Sequence, residues 1–134
     1  MSTSSLIGIQ IEDNVKYIYC HWDGYPSHHG PLLNQYYNNE HIVNKLIDMG
    51  DLSVLSKYIA PINPPHSFLN PDKDICVFYG RDKGESDTGP ITISLQEFLN
   101  PELEKKYFAN YKYLFSNDRW WYVNENDMLE KIKE

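Results

Sequence analysis

The chain has 134 residues and a formal net charge of −7. At that length one domain over residues 1–134 is expected, and with 41% hydrophobic and 23% charged residues the composition is that of a globular protein, not of a disordered chain. The acidic balance repels phosphate backbones and no basic stripe offsets it, so direct nucleic-acid binding is disfavoured; no apolar run is long enough to span a bilayer.

Met1 to Ser5 is polar and lacks the charged and apolar regions of a signal peptide, which predicts a cytoplasmic protein. Ile7, Ile9 and Ile11 alternate with Gly8 and Gln10, the period of a strand. Glu12-Asp13-Asn14 is turn chemistry, and Val15 to Trp22 then reads as the second strand of a hairpin. Within it Val15, Tyr17, Tyr19 and His21 share one face, and Lys16, Ile18, Cys20 and Trp22 the other. Asp23-Gly24-Tyr25-Pro26 breaks the strand. Gly30-Pro31 is expected to open a short helix, with Pro31 at its first position. Asn38-Asn39 interrupts that helix and can cap a second one, whose stripe is Ile42, Val43, Leu46 and Ile47 and whose end is marked by Gly50. Leu52, Val54 and Leu55 read as a turn against the core.

Four prolines between Ala60 and Pro71 preclude regular structure. Ile75 to Tyr79 is expected to be a strand, and Arg81 to Pro90 an exposed loop. Ser94 and Glu97 form a capping box, and Asn100-Pro101 starts another helical piece. Tyr111 to Phe115 and Trp120 to Val123 flank a four-residue turn, a second hairpin signal. From Glu125 onward, behind a cap at Asn124, an amphipathic helix with Met128, Leu129 and Ile132 on one side is expected. Cys20 and Cys76 fall in strand-like segments and are expected as two reduced core thiols. The order predicts an α+β fold: a mostly antiparallel sheet of about five strands with short helices packed on one face.

Chemistry concentrates between Tyr17 and Gly30, which holds three of the five histidines, a carboxylate, a thiol and a tryptophan. Three uses compete. His21, Asp23, His28 and His29 offer metal-ligand atoms, although at no standard zinc spacing. Cys20 beside His21 resembles a nucleophile and base, but strand neighbours point to opposite faces. The third use is recognition: Tyr19, His21, Trp22, Asp23, Tyr25 and His28 can stack on and hydrogen-bond a partner. The same residues have a plain structural use, with Trp22 as a core plug, His21 as a bonded strand residue and Asp23-Gly24 as a turn. Arg81-Asp82 is a second binding candidate, since Arg clamps carboxylate or phosphate; its plain alternative is a surface ion pair. Of the adjacent Trp120 and Trp121, one points inward and the other, taken as Trp121, is a contact candidate that equally suits self-association. Gly80 to Gly89 lacks a phosphate-loop pattern, and no cofactor is indicated.

Several stretches together resemble a family of small, largely uncharacterised proteins encoded by bacteriophages and prophages. They are Met1-Ser2-Thr3 with Ile7-Gly8-Ile9; Tyr19-Cys20-His21-Trp22-Asp23-Gly24-Tyr25-Pro26; Gly50-Asp51-Leu52-Ser53 with Leu55; Cys76-Val77 with Arg81-Asp82 and Gly84-Glu85; and Tyr113-Leu114-Phe115 with Trp121-Tyr122-Val123. The Cys-His-Trp-Asp-Gly-Tyr-Pro run is the most specific of these. The resemblance implies a bacterial host cytoplasm during infection. From it we expect an accessory binding protein that inhibits a host enzyme or anti-phage defence complex by protein–protein contact. The alternatives are a sponge for a nucleotide signal, held by Tyr25 to Gly30 and Arg81, and a small metal-dependent hydrolase or nuclease.

Overall fold

A computed structural model describes residues 3–60, 67–123 and 129–131. The fold is α+β, built on one sheet. Strand β1 (Ser5–Ile11) turns back into β2 (Asn14–Cys20) in register, Ile11 opposite Asn14 and Ser5 opposite Cys20. Glu12 takes the left-handed conformation in the two-residue turn. The second hairpin, β6 (Tyr111–Ser116) and β7 (Arg119–Val123), closes through Asn117-Asp118, both at positive φ as a tight hairpin turn requires.

The sheet corrects the expected topology. β6 lies parallel to β1, and the short strand β3 (Leu52–Val54) lies parallel to β2, so the sheet is mixed and not mostly antiparallel. The hairpin signals were local, whereas a parallel pairing is made by a long crossover that no short-range pattern encodes. There are also more strands than five. The hydrogen-bonded order is β4 (Val77–Phe78), β3, β2, β1, β6, β7, β8 (Leu129–Lys131), with β5 (Ile91–Ser94) pairing with β2 off that path. β2 divides one edge between two partners: residues 14–17 pair with β5, and Cys20 pairs with β3. The short β3 and β5 lack the length that makes alternation legible.

Helices cover both faces of the sheet, not one. Over the first face lie α1 (Pro26–Tyr36) and α2 (Glu40–Asp48), where Leu33, Val43, Leu46 and Ile47 pack with Ile7, Ile9, Ile18, Cys20, Tyr113, Phe115 and Trp120. Over the second lie α4 (Leu95–Leu99) and α5 (Pro101–Tyr107), where Phe98 packs with Leu6, Val15, Tyr17, Leu114 and Val123. Gly8 makes the second layer fit, since a Cβ there would stand 2.6 Å from Val15 Cγ1 and 3.3 Å from the Phe98 ring.

Local signals explain the helix ends. Asn39 Oδ1 accepts the Ile42 N–H, Gly50 follows α2 at φ +89°, and Ser94 and Glu97 form the capping box. α1 starts earlier than expected: Pro26 occupies its first turn, and Pro31 lies inside. Pro31 removes one helical N–H, yet burial of Leu33 and Tyr37 carries the helix past it. The Trp120 indole N–H donates to the Tyr37 carbonyl at 2.7 Å, partnering a group the helix end would leave orphaned.

Two further expectations change. The strand expected to run from Ile75 to Tyr79 is only Val77–Phe78, and Tyr79 starts a short helix, α3 (Tyr79–Lys83). The Asp82 carboxylate accepts the Phe78 N–H at 2.8 Å, which turns the chain where an exposed loop was expected. The tail after β7 is not helical at 129–131, where β8 pairs antiparallel with β7. A sheet edge with open backbone groups favours a strand over an isolated short helix. Asn124, Met128 and Ile132 lie outside the described residues, as do residues 61–66 of the proline-rich connection.

Candidate functional site

The bend after β2 is built by backbone contacts that leave its side chains outside. The His21 and Trp22 N–H groups donate to the Leu52 and Ser53 carbonyls, each at 3.0 Å, so the chain stays aligned with β3 to the end of the strand. Asp23 then takes φ +56°. The Gly24 N–H donates to the Thr3 carbonyl at 2.8 Å, and the Tyr113 hydroxyl donates to the Gly24 carbonyl at 2.7 Å. A Cβ on Gly24 would fall 2.8 Å from Ser5 Cβ and 2.9 Å from the Ser4 carbonyl carbon, so only glycine allows this approach. Tyr25 caps α1 with its carbonyl, which accepts the N–H groups of His28 and His29 at 3.0 Å.

On this anchored corner Trp22 is 44% exposed, Tyr25 is 38% exposed, and Asp23 is exposed. Trp22 is therefore not a core plug. Beside it runs a row of aromatic rings. His21 meets Trp22 edge-on at 4.6 Å, the Tyr19 hydroxyl and His21 Nδ1 share a hydrogen bond at 2.9 Å, and the Tyr19 ring stacks with Tyr107 at 6.1 Å. Tyr19 and His21 are half-buried. The row belongs to the face that α5 covers, as the strand alternation predicts for Tyr17, Tyr19 and His21.

The remaining histidines point inward. His29 is fully buried; its Nε2 bonds Ser5 Oγ at 3.1 Å, and its Nδ1 bonds His28 Nδ1 at 3.0 Å. Burial pushes the His29 imidazole down to about 3, with a smaller push from His28. His28 is half-buried and is also lowered by burial, against an opposing pull from Asp23. A neutral His29 satisfies both of its bonds, one ring nitrogen donating and the other accepting between Ser5 Oγ and His28 Nδ1. Ser5 has no exposure to a substrate, so these bonds are structural.

The metal alternative loses its ligand geometry here. His28 and His29 bond each other, His21 bonds Tyr19, and among the described residues no group of three or more His, Cys, Asp or Glu could hold an ion. Cys20 does not serve as a nucleophile with His21. Its thiol is buried, pushed up to about 12 by desolvation, and bonded to the Trp22 carbonyl at 3.6 Å.

Arg81 is engaged by the protein itself. Its guanidinium holds both carboxylate oxygens of Asp82, at 2.9 and 3.0 Å, and donates to the Cys76 and Ile59 carbonyls while lying over the Phe78 ring. Four of its five N–H donors are thereby occupied, which leaves little for the anion assigned to it from sequence. Asp82 also bonds the Phe78 N–H. Arg81 and Asp82 thus staple α3 to β4, apart from the Trp22 corner in their bonding. Of the tryptophan pair, Trp120 is buried, whereas Trp121 is half-buried, donates to the Ser116 carbonyl at 2.9 Å and lies beneath the Arg119 guanidinium.

No protein-family model, curated protein or solved structure matches this chain. Function therefore has to be read from the site itself.

Two features escape sequence reasoning. Asp51, half-buried, accepts the Tyr19 N–H at 2.9 Å and has its carboxyl raised by burial, so a polar group sits behind the aromatic row. The second is a cleft lined by residues of α1, α2 and the segment after β3, about 460 Å³ in volume. Its walls come from three places in the chain, and no single stretch signals it. Among the described residues no helix is long and apolar enough to cross a membrane.

Proposed function

We propose that this chain is a recognition module, phage-encoded, that inhibits a bacterial host enzyme or defence complex through protein–protein contact at the Trp22-Asp23-Tyr25 corner. The observation that carries the reading is the exposure of two large rings and a carboxylate on a backbone pinned at Thr3, Ser53 and Tyr113. Exposed aromatic rings on a rigid backbone lose little conformational freedom on binding, and Trp and Tyr dominate interface hot spots. Asp23 beside them supplies charge selectivity toward a basic partner surface. Tyr19 and His21 extend the same surface, with their polar tips already oriented by each other.

A photo-crosslinking amino acid at position 22, introduced into the full chain in bacterial cells, tests this. A discrete adduct with a host protein is expected at position 22 and not at Gln35, an exposed residue on α1. The Trp22→Ala/Tyr25→Ala double variant should stay folded with at most a modest fall in melting temperature, because the corner is held by main-chain bonds and neither ring belongs to the buried core. It should bind the captured protein roughly thirtyfold or more weakly. Identical adducts at both positions, or undiminished binding by the double variant, would sink the reading.

A further inference from the structure

A second site is written into the opposite end of the helical layer. The C-terminal turn of α1, one face of α2 and residues 57–60 enclose the 460 Å³ cleft, a size typical of small-molecule pockets. Two rings form its walls, Tyr36 and Tyr58, which meet edge to face at 5.8 Å. Ile42 and Met49 add apolar surface. Tyr58 is 43% exposed although its backbone is fixed: its N–H donates to the Asp74 carbonyl at 3.0 Å, and its carbonyl accepts the Cys76 N–H at 2.8 Å. A large ring is thus held open on a rigid support.

Two cations stand at the same cleft of an acidic protein. Lys45 lies three residues after Ile42 and four before Met49, on the α2 face that lines the cavity. Among the described residues it has no hydrogen-bond or ion-pair partner. Lys57 lies 5.8 Å from the centre of the Tyr36 ring and makes a loose contact, 3.9 Å, with Asp74. An apolar cleft walled by two aromatic rings takes a flat molecule against the wall they form, and at its rim the unpaired Lys45, with Lys57 only loosely held by Asp74, takes a negative group on that molecule.

We infer that this cleft binds a small planar aromatic anion, its ring system against Tyr36 and Tyr58 and its charged group at Lys45 and Lys57. The ring can come from a nucleotide base or from an aromatic carboxylic acid; both present the same plane and charge. This site shares no lining residue with the Trp22 corner, so it stands or falls independently of the proposed protein contact.

The Trp120 indole N–H is a natural reporter, because it bonds the carbonyl of Tyr37, a residue of the cleft lining. In ¹⁵N-labelled full-length protein, AMP and naphthalene-2-carboxylate are each titrated while the three indole signals are followed, with adenosine as the neutral control. A saturable shift of the Trp120 signal with at least one anion is expected, the Trp22 signal staying in place. The Lys45→Gln/Lys57→Gln variant, altered only at solvent-accessible side chains, should bind about tenfold more weakly, and adenosine should bind more weakly than AMP by a similar factor. Response to AMP alone assigns the nucleotide class, response to the naphthoate alone the carboxylic-acid class, and response to both a site that reads plane and charge only. The inference is overturned by no saturable shift with either anion, by equal affinity in the double variant, or by a shift confined to Trp22.

Discussion

His29 shows how one buried side chain can tie folding to pH. Its ring is neutral in the folded protein, held down to about 3 by burial, whereas the unfolded chain takes up the proton near the ordinary value of 6.5. Between those two values the unfolded state binds more protons, so stability falls as pH drops through that window and is fully present above it. By about pH 5 roughly 2 kcal/mol of that stability is lost, with more going as pH falls towards 3, and His28, lowered in the same direction, adds to it. Asp51 works against it, because a carboxyl raised by burial favours the folded state as pH falls. Comparison with a variant therefore isolates the imidazole. In urea unfolding at neutral pH and near pH 5, the wild type should lose more stability on acidification than His29→Gln. Parallel pH dependence in the two proteins would show that the ring is not held neutral.

At the scale of elements, one buried lysine ties the junction of α4 and α5 to the sheet, beneath the packing of Phe98. Lys112 on β6 is fully buried, and its ammonium donates to the Phe98 carbonyl at 2.7 Å and the Asn100 carbonyl at 3.2 Å, where α4 ends. Glu104 of α5 approaches it at 2.8 Å, an attraction of charges without hydrogen-bond alignment at that carboxylate oxygen. The cation thus partners helix-end carbonyls that would otherwise be buried and empty, and it draws the next helix onto the same point. Lys112→Ala removes a buried partner from two carbonyls and a carboxylate, so a loss of about 3 kcal/mol is expected in chemical denaturation. A loss below about 1 kcal/mol would mean that Phe98 packing alone holds the pair of helices. Sequence reading found α4 and α5 from their caps, because a cap is local chemistry. It did not find their anchor, because the alternating apolar pattern of β6 gives no sign that Lys112 faces a helix end.

Across the whole molecule, the two free thiols report on global opening. Cys20 and Cys76 are both buried in the layer under α1 and α2, and desolvation raises both, Cys20 to about 12. Cys76 is bonded to the Tyr37 hydroxyl at 3.1 Å, which fixes α1 against the segment leading into β4. A thiol that is neither ionised nor accessible reacts only when its surroundings open. An aromatic disulfide reagent at about pH 8 should leave both thiols of the native protein unmodified and label both once guanidinium unfolds it. Rapid native labelling of either thiol would show that this layer opens locally.

The sequence by itself determined what neighbours in the chain decide: the two hairpins, a cap at Asn38-Asn39 and another at Ser94, the Gly50 stop, the face alternation of β2, and the bend at Asp23-Gly24. Each depends on a few consecutive residues and their backbone preferences, so each is legible without long-range contacts. It also marked residues 17–30 as unusual, without separating the exposed Trp22, Asp23 and Tyr25 from the buried His29. Only the tertiary structure decided that separation, along with the parallel β1–β6 and β2–β3 pairings, the helices on both faces, the engagement of Arg81 by Asp82 and backbone carbonyls, and the meeting of Tyr36, Lys45 and Tyr58. The reason is distance along the chain: Ser5 meets His29, Gly24 meets Tyr113 and Tyr58 meets Ile75 only after the crossovers are made, and no local pattern carries that information.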